Sequence, residues 1–90
     1  MRLDKFLKVS RIIKRRTVAK ELCSAGKVSV NSRTAKAGTE IKEGDIISID
    51  RGDIYLEVEV LSVPEKASVS NPEEVYRLIK KEKRSLDSLF

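Results

Sequence analysis

Eight lysine or arginine side chains stand in the first twenty residues, Arg2, Lys5, Lys8, Arg11, Lys14, Arg15, Arg16 and Lys20, against a single acid, Asp4. Cations at this density suit phosphate recognition. Arginine offers donors in a planar fork, lysine a compact point charge, and neither surrenders its proton near neutral pH. Other chemistries lack their reagents. The chain has no histidine and one cysteine, Cys23, which removes His-based acid–base and nucleophilic schemes, disulfide frameworks and zinc-knuckle spacing, and leaves no cofactor to expect. Cys23 itself should pack as a small hydrophobe.

The charge is lopsided. The first twenty residues sum to +7 while the whole 90-residue chain is +5, so the remainder carries −2. A polyanion would meet one end of the molecule. A basic helical surface can also be nothing more than a solvated face, but so many cations with one acid would repel each other in the free protein. A partner that neutralises them is the simpler account, and nucleic acid is the natural one. Aromatic residues are few (Phe6, Tyr55, Tyr76, Phe90) and Phe6 falls on an apolar stripe, so stacking platforms of the single-strand-binding kind should not dominate. Phosphate contact and shape should. Folded RNA suits this better than duplex DNA, although a pair of helices also leaves a DNA-reading helix-turn-helix open.

These cations need elements to position them. A chain of 90 residues makes one small domain, hiding about 60 to 65% of its unfolded surface, with 37% charged residues around a core of Leu, Ile and Val. Leu3, Phe6, Leu7, Ser10 and Ile13 recur at spacings of three and four, which predicts a first amphipathic helix with Lys5, Lys8 and Arg11 turned outward. Val18, Ala19, Leu22 and Cys23 predict a second helix, stopped at Gly26 by a residue free to take positive φ. Thr17 is the expected cap of that helix, and Arg16 and Lys20 stack one turn apart on its outer face. Substitution at such an outer-face position usually shifts stability by under about 0.5 kcal/mol.

After Gly26 the period changes to two. Val28-Ser29-Val30, a turn at Asn31-Ser32-Arg33, the strand Ile46–Ile49 opened by Gly44-Asp45, and Ile54–Val60 entered through Asp50-Arg51-Gly52-Asp53 predict a small antiparallel sheet. In the last strand Glu57 and Glu59 alternate with Leu56, Val58 and Val60, so its outer face should be acidic and a poor surface for nucleic acid. Pro64 should end the sheet. Asn71-Pro72-Glu73-Glu74 has the cap residue, first-turn proline and acids of a helix start, and Val75, Leu78 and Ile79 continue it as a stripe toward Lys80, Lys81, Lys83 and Arg84. The fold class is therefore α+β: two N-terminal helices packed on a small antiparallel sheet over residues 1–63, a linker over 64–71, and a C-terminal helix and tail over 72–90. No apolar run is long enough for a membrane span and no signal-peptide stretch opens the chain, so no membrane partner and a cytoplasmic location are expected.

Arg2-Leu3-Asp4-Lys5-Phe6-Leu7, then Arg16-Thr17-Val18-Ala19, then Gly26-Lys27-Val28-Ser29-Val30-Asn31, and later Lys42-Glu43-Gly44-Asp45-Ile46-Ile47, together resemble the RNA-binding module first seen in ribosomal small-subunit protein four, the S-four domain with its alpha-L motif. The similarity runs from Met1 to about Val63. It departs at Ser32, where the family usually has Gly, and at Arg15, where many members have Ser. The unbroken stretch from Met1 to Thr17 in a chain this short is similar to the stand-alone S-four proteins of bacterial ribosome-associated quality control, the RqcP family. That resemblance implies a non-enzymatic factor on obstructed large ribosomal subunits, contacting ribosomal RNA and peptidyl-tRNA and supporting template-free alanine tailing by RqcH. Related small heat-shock proteins of the same domain imply an alternative, recycling of large subunits blocked by a nascent chain. The free protein is expected to be a monomer.

Carried over residue by residue, the resemblance puts Arg2 and Arg16 first for RNA phosphate, with Lys5, Lys8, Arg11, Lys14, Arg15 and Lys20 beside them. Arg33 and Lys36 flank the turn, either extending the patch or simply solvated. Asp4 has two readings. It is a first-turn acid of the helix, or it orients Arg2 or Arg16 through an ion pair or touches RNA.

Overall fold

The computed structural model describes residues 1–63 and 74–83. Two helices, α1 (Leu3–Val9) and α2 (Arg16–Ser24), precede five strands, β1 (Val28–Val30), β2 (Arg33–Thr34), β3 (Ile46–Asp50), β4 (Ile54–Val60) and β5 (Tyr76–Lys83). The strands form one antiparallel sheet in the order β2-β1-β3-β4-β5. Helix α1 buries Leu3, Phe6 and Leu7 completely. With Ala19 and Cys23 of α2 they share one core with Val28, Ile47, Ile49, Val58 and Val60 of the sheet. The α+β arrangement of helices and sheet expected from periodicity is the one observed.

Helix α1 is shorter than its apolar stripe. Ser10 caps it, its amide donating to the Phe6 carbonyl at 2.9 Å, and Arg11 turns the chain with φ 65. Ile12 and Ile13 still reach the core, from an irregular connection held by the Ile13 amide on the Leu7 carbonyl at 3.0 Å. Helix α2 corrects the expected cap. Arg15 is the extended residue ahead of it, no side chain caps it, and Thr17 lies inside the first turn because Arg16 is already helical. Gly26, with φ 75, ends it as expected.

The turns set the register. Asn31 (φ 51) and Ser32 (φ 68) form a two-residue hairpin with both residues left-handed, the type I′ geometry that matches strand twist. Serine replaces the usual glycine there, and Asn31 compensates. Its side-chain oxygen accepts from the Ile46 amide at 2.9 Å and its side-chain nitrogen donates to Asp45 at 3.1 Å.

The C-terminal helix is a correction. Its expected start at Asn71–Glu73 and the tail from Arg84 lie outside the described residues, as do all the linker positions 64–71, but Tyr76–Lys83 is strand β5, paired along the whole of β4. Without it the outer edge of β4 would expose a row of unpaired amides and carbonyls. Pairing instead sets Tyr76 opposite Val60 and Leu78 opposite Val58 on one face, and Arg77 opposite Glu59 on the other. Val75, counted in the helical stripe, is buried just before the strand, and its carbonyl accepts from the Leu61 amide at 2.8 Å. Non-local pairing overrides a helical period that rested on three residues.

Candidate nucleic-acid interface

The structure assembles the arginines around Asp4. The carboxylate is fully buried in the first turn of α1 and accepts four hydrogen bonds. The Lys5 amide donates at 2.9 Å, Arg2 Nε at 3.2 Å, Arg16 Nε at 3.0 Å and Arg16 Nη2 at 3.5 Å. Both readings of Asp4 therefore hold at once, since it is a first-turn acid and it orients both arginines. The two guanidinium side chains stay 53% and 41% exposed, so each presents donors to solvent while its Nε is held. Burial alone would push the Asp4 carboxyl up. The Arg16 hydrogen bond and charge, the Lys5 amide and the Arg2 charge outweigh burial and hold it below the usual carboxylate value.

The backbone fixes this cluster from the other side. The Leu3 amide donates to the Thr39 carbonyl at 2.8 Å, the Asp4 amide to Ala37 at 3.1 Å and the Ile41 amide to Met1 at 2.8 Å, so residues 1–4 are stitched to residues 37–41. Gly38 lies under Arg2, where a Cβ would meet the guanidinium in ordinary van der Waals contact at 3.7 Å. Sequence reasoning missed Gly38, and no local signal marks it, because its neighbour is brought from the other end of the motif.

The remaining candidates divide by place. Lys20 is exposed one turn after Arg16, and Lys8 is exposed and Lys5 half-buried on α1. Lys36 belongs to the loop that docks on α1, its amide donating to Thr39 Oγ1 at 3.0 Å. Arg33 is exposed in β2, and no hydrogen bond among the described residues ties it to the Asp4 cluster. Arg11, Lys14 and Arg15 line a separate open groove together with Arg51, which the sequence reading treated only as a turn residue. Cys23 is buried, and burial followed by the charge of Asp4 pushes its thiol up, so it stays protonated and apolar in character. One earlier expectation changes. Arg16 is not a free outer-face residue, since it is the main partner of a buried carboxylate.

Comparison with known proteins identifies the family and the fold. The S4 domain family model matches residues 1–47. The chain is similar to an RQC P-site tRNA stabilizing factor of Halalkalibacterium halodurans, 50% identical over 91% of this chain and 93% of that protein. It is also similar to a protein of the same name from Bacillus subtilis, 42% identical over 92% and 96%. Among solved structures, the solution structure of a hypothetical protein has a TM-score of 0.77 at 34% identity, covering 91% of this chain and 100% of that one. Heat shock protein 15 of Vibrio cholerae, solved as a trimer, shares the fold at a TM-score of 0.79 and 23% identity, covering 99% of this chain and 85% of that one. With half of 82 aligned residues identical to one such relative and an S4 module whose arginine pair is built on Asp4, the chain belongs to the S4 domain family, in the branch that holds the RQC P-site tRNA stabilizing factors.

Proposed function

We propose that this chain is a non-enzymatic RNA-binding factor of ribosome-associated quality control, acting in the cytoplasm on large ribosomal subunits. The observation that carries the reading is the Asp4 clamp. It spends one buried carboxylate to present two arginines in fixed positions, an arrangement suited to phosphate oxygens of a folded RNA. The printed name of the relatives, P-site tRNA stabilizing factor, makes tRNA held in the ribosomal P site the natural ligand. Arg2 and Arg16 would meet phosphates of tRNA or ribosomal RNA, with Lys5, Lys8, Lys14, Arg15, Lys20 and Lys36 widening the cationic surface. By holding a peptidyl-tRNA in place, such a factor would support template-free tailing by RqcH without contributing a reagent of its own.

The test is co-sedimentation with large subunits carrying peptidyl-tRNA, against empty subunits and intact ribosomes. Enrichment on the obstructed subunits is the expected result, and equal binding to all three would remove the quality-control reading. In solution, contact with about five phosphates gives a log–log salt slope of about −3.5 to −4.5 for RNA binding. A flat salt response would remove the electrostatic basis, and preference for duplex DNA at matched salt would favour a DNA regulator.

A further inference from the structure

A second cationic surface lies away from the Asp4 clamp. Two open grooves, of about 530 and 200 Å³, share Arg11, Ile12 and Arg51. They form one trough from α2 to β5, floored by aliphatic side chains that include Ile12, Leu56 and Leu78. Among the described residues no acid lines either groove, and the charged lining is Arg11, Lys14, Arg15, Arg51 and Lys81.

Two details of the backbone make this trough. The first is an irregularity in the β4–β5 ladder between Glu57 and Val58, where Glu57 faces Lys80 but Val58 faces Leu78. Ile79 is the extra residue of this bulge. Beyond the bulge the alternation of β5 is inverted, so Lys81 shares the trough face with Leu56. Glu82 goes to the opposite face, opposite Tyr55. An unbroken ladder would have continued Leu78 with Lys80 and Glu82 on the trough side, setting an acid among the cations. Instead the outer face gathers the acids and neutralises them, with Arg77 on Glu59 at 2.6 Å and Lys80 near Glu82 at 3.6 Å. The second detail is Arg11. It has φ 65 just past the end of α1, a position and conformation that normally belong to glycine. Arginine is strained there, and its side chain lines both grooves.

We infer that this trough is a second RNA-contact surface, which takes a single strand with its phosphates on Arg11, Arg51 and Lys81 and an unstacked base against Ile12, Leu56 and Leu78. The charge complementarity is one-signed, and the floor offers apolar contact to a base face without hydrogen-bond readout, so the site discriminates strand shape, not sequence. Arg15, which lines the trough, directly precedes Arg16 of the clamp at the start of α2, which favours the same polyanion over a separate acidic protein. This inference rests on the RNA-binding reading above, and the experiment separates the two.

Binding of full-length protein to unmodified tRNA and to a ribosomal RNA fragment is measured over a salt series for Arg2→Ala, for the double variant Arg51→Glu with Lys81→Glu, and for Arg11→Gly, with thermal melting of each. The double variant should bind at least about tenfold more weakly, with a salt slope reduced by about 1.5 to 2. Arg11→Gly should weaken binding several-fold while its melting temperature stays level or rises, an outcome that a purely structural arginine would not give. RNA carrying 4-thiouridine should cross-link to the residues of the trough floor. If Arg2→Ala loses binding while both trough variants bind as the parent does, the trough is overturned and the RNA reading stands. If none of the three changes binding, both fall. Trough variants that keep RNA binding but lose a Glu- and Leu-rich peptide would assign the surface to a protein partner and overturn the inference.

Discussion

Arg16, the first residue of α2, sets its Nε 3.0 Å from Oδ2 of Asp4, twelve residues earlier in the first turn of α1. This one pairing joins the two helices and aims a guanidinium outward. It also removes the cost of burying a carboxylate, which without its partners would be severe.

Replacing Asp4 by Asn separates orientation from net charge. The change raises the protein's charge by one, so a simple electrostatic surface would bind RNA more tightly. Because Asn accepts only weakly from two arginines, we expect the opposite, RNA affinity several-fold lower at fixed salt, with stability reduced by about 1 to 3 kcal/mol. Anisotropy titration beside denaturant unfolding reads both, and tighter binding would show that Asp4 does not position the arginines.

Arg16→Ala should cost about 1 to 2 kcal/mol of folding stability, above the usual range for a surface substitution, since a buried carboxylate loses its main partner. The figure is held down because the Arg16 side chain is 41% exposed and water can partly replace it. Arg16→Lys keeps the charge but not the fork, and should recover part of the stability and little of the RNA binding. A lysine variant that binds as well as the parent would reduce the site to charge alone.

Asp4 also makes stability depend on acid. Its carboxyl lies below the ordinary aspartate value when folded, so the unfolded chain binds a proton first as pH falls. The stabilisation is fully present above about pH 4 to 5 and is lost as pH drops through the folded value. Melting temperatures recorded from pH 7 to pH 2.5 should fall steeply at the acid end for the parent and less steeply for Asp4→Asn. Parallel curves would exclude Asp4 as the titrating group.

Asn31→Ala tests the hairpin. It forfeits the hydrogen bonds to Asp45 and Ile46 and asks alanine, which tolerates the left-handed region less well than asparagine, to hold φ 51, for a loss of about 1 to 3 kcal/mol. Asn31→Gly relieves the backbone but not the hydrogen bonds, and should fall between. Chemical denaturation midpoints rank the three, and an alanine variant equal to the parent would mean the turn is held by its strands alone.

Local patterns were legible wherever one residue's neighbours in sequence decide its state. The helical spacing of Leu3, Phe6 and Leu7, the positive φ of Gly26 and Gly44, and the alternation of β4 follow from side-chain period and from backbone freedom. Where two distant segments decide together, the sequence was silent. Tyr76–Lys83 carries a weak helical stripe and an equally short alternation, and only the open edge of β4 breaks the tie. Arg51 looked like a turn residue because nothing beside it in sequence shows that it lines a groove with Arg11. The Asp4 clamp was half legible, since residue types suggested an ion pair but not that one carboxylate would hold both arginines.

The stitching of residues 1–4 to residues 37–41 has a consequence for the order in which the molecule matures. That contact closes a loop spanning the two helices and the first hairpin, so it forms only after the chain through Ile41 is available and its loop-closure entropy has been met. A growing or partly folded chain would carry the same cations without their arrangement, as a loose and indiscriminate polycation. Selective recognition thus begins at a folding event, and the protein remains a weak competitor for RNA until its own beginning has been tied to its middle.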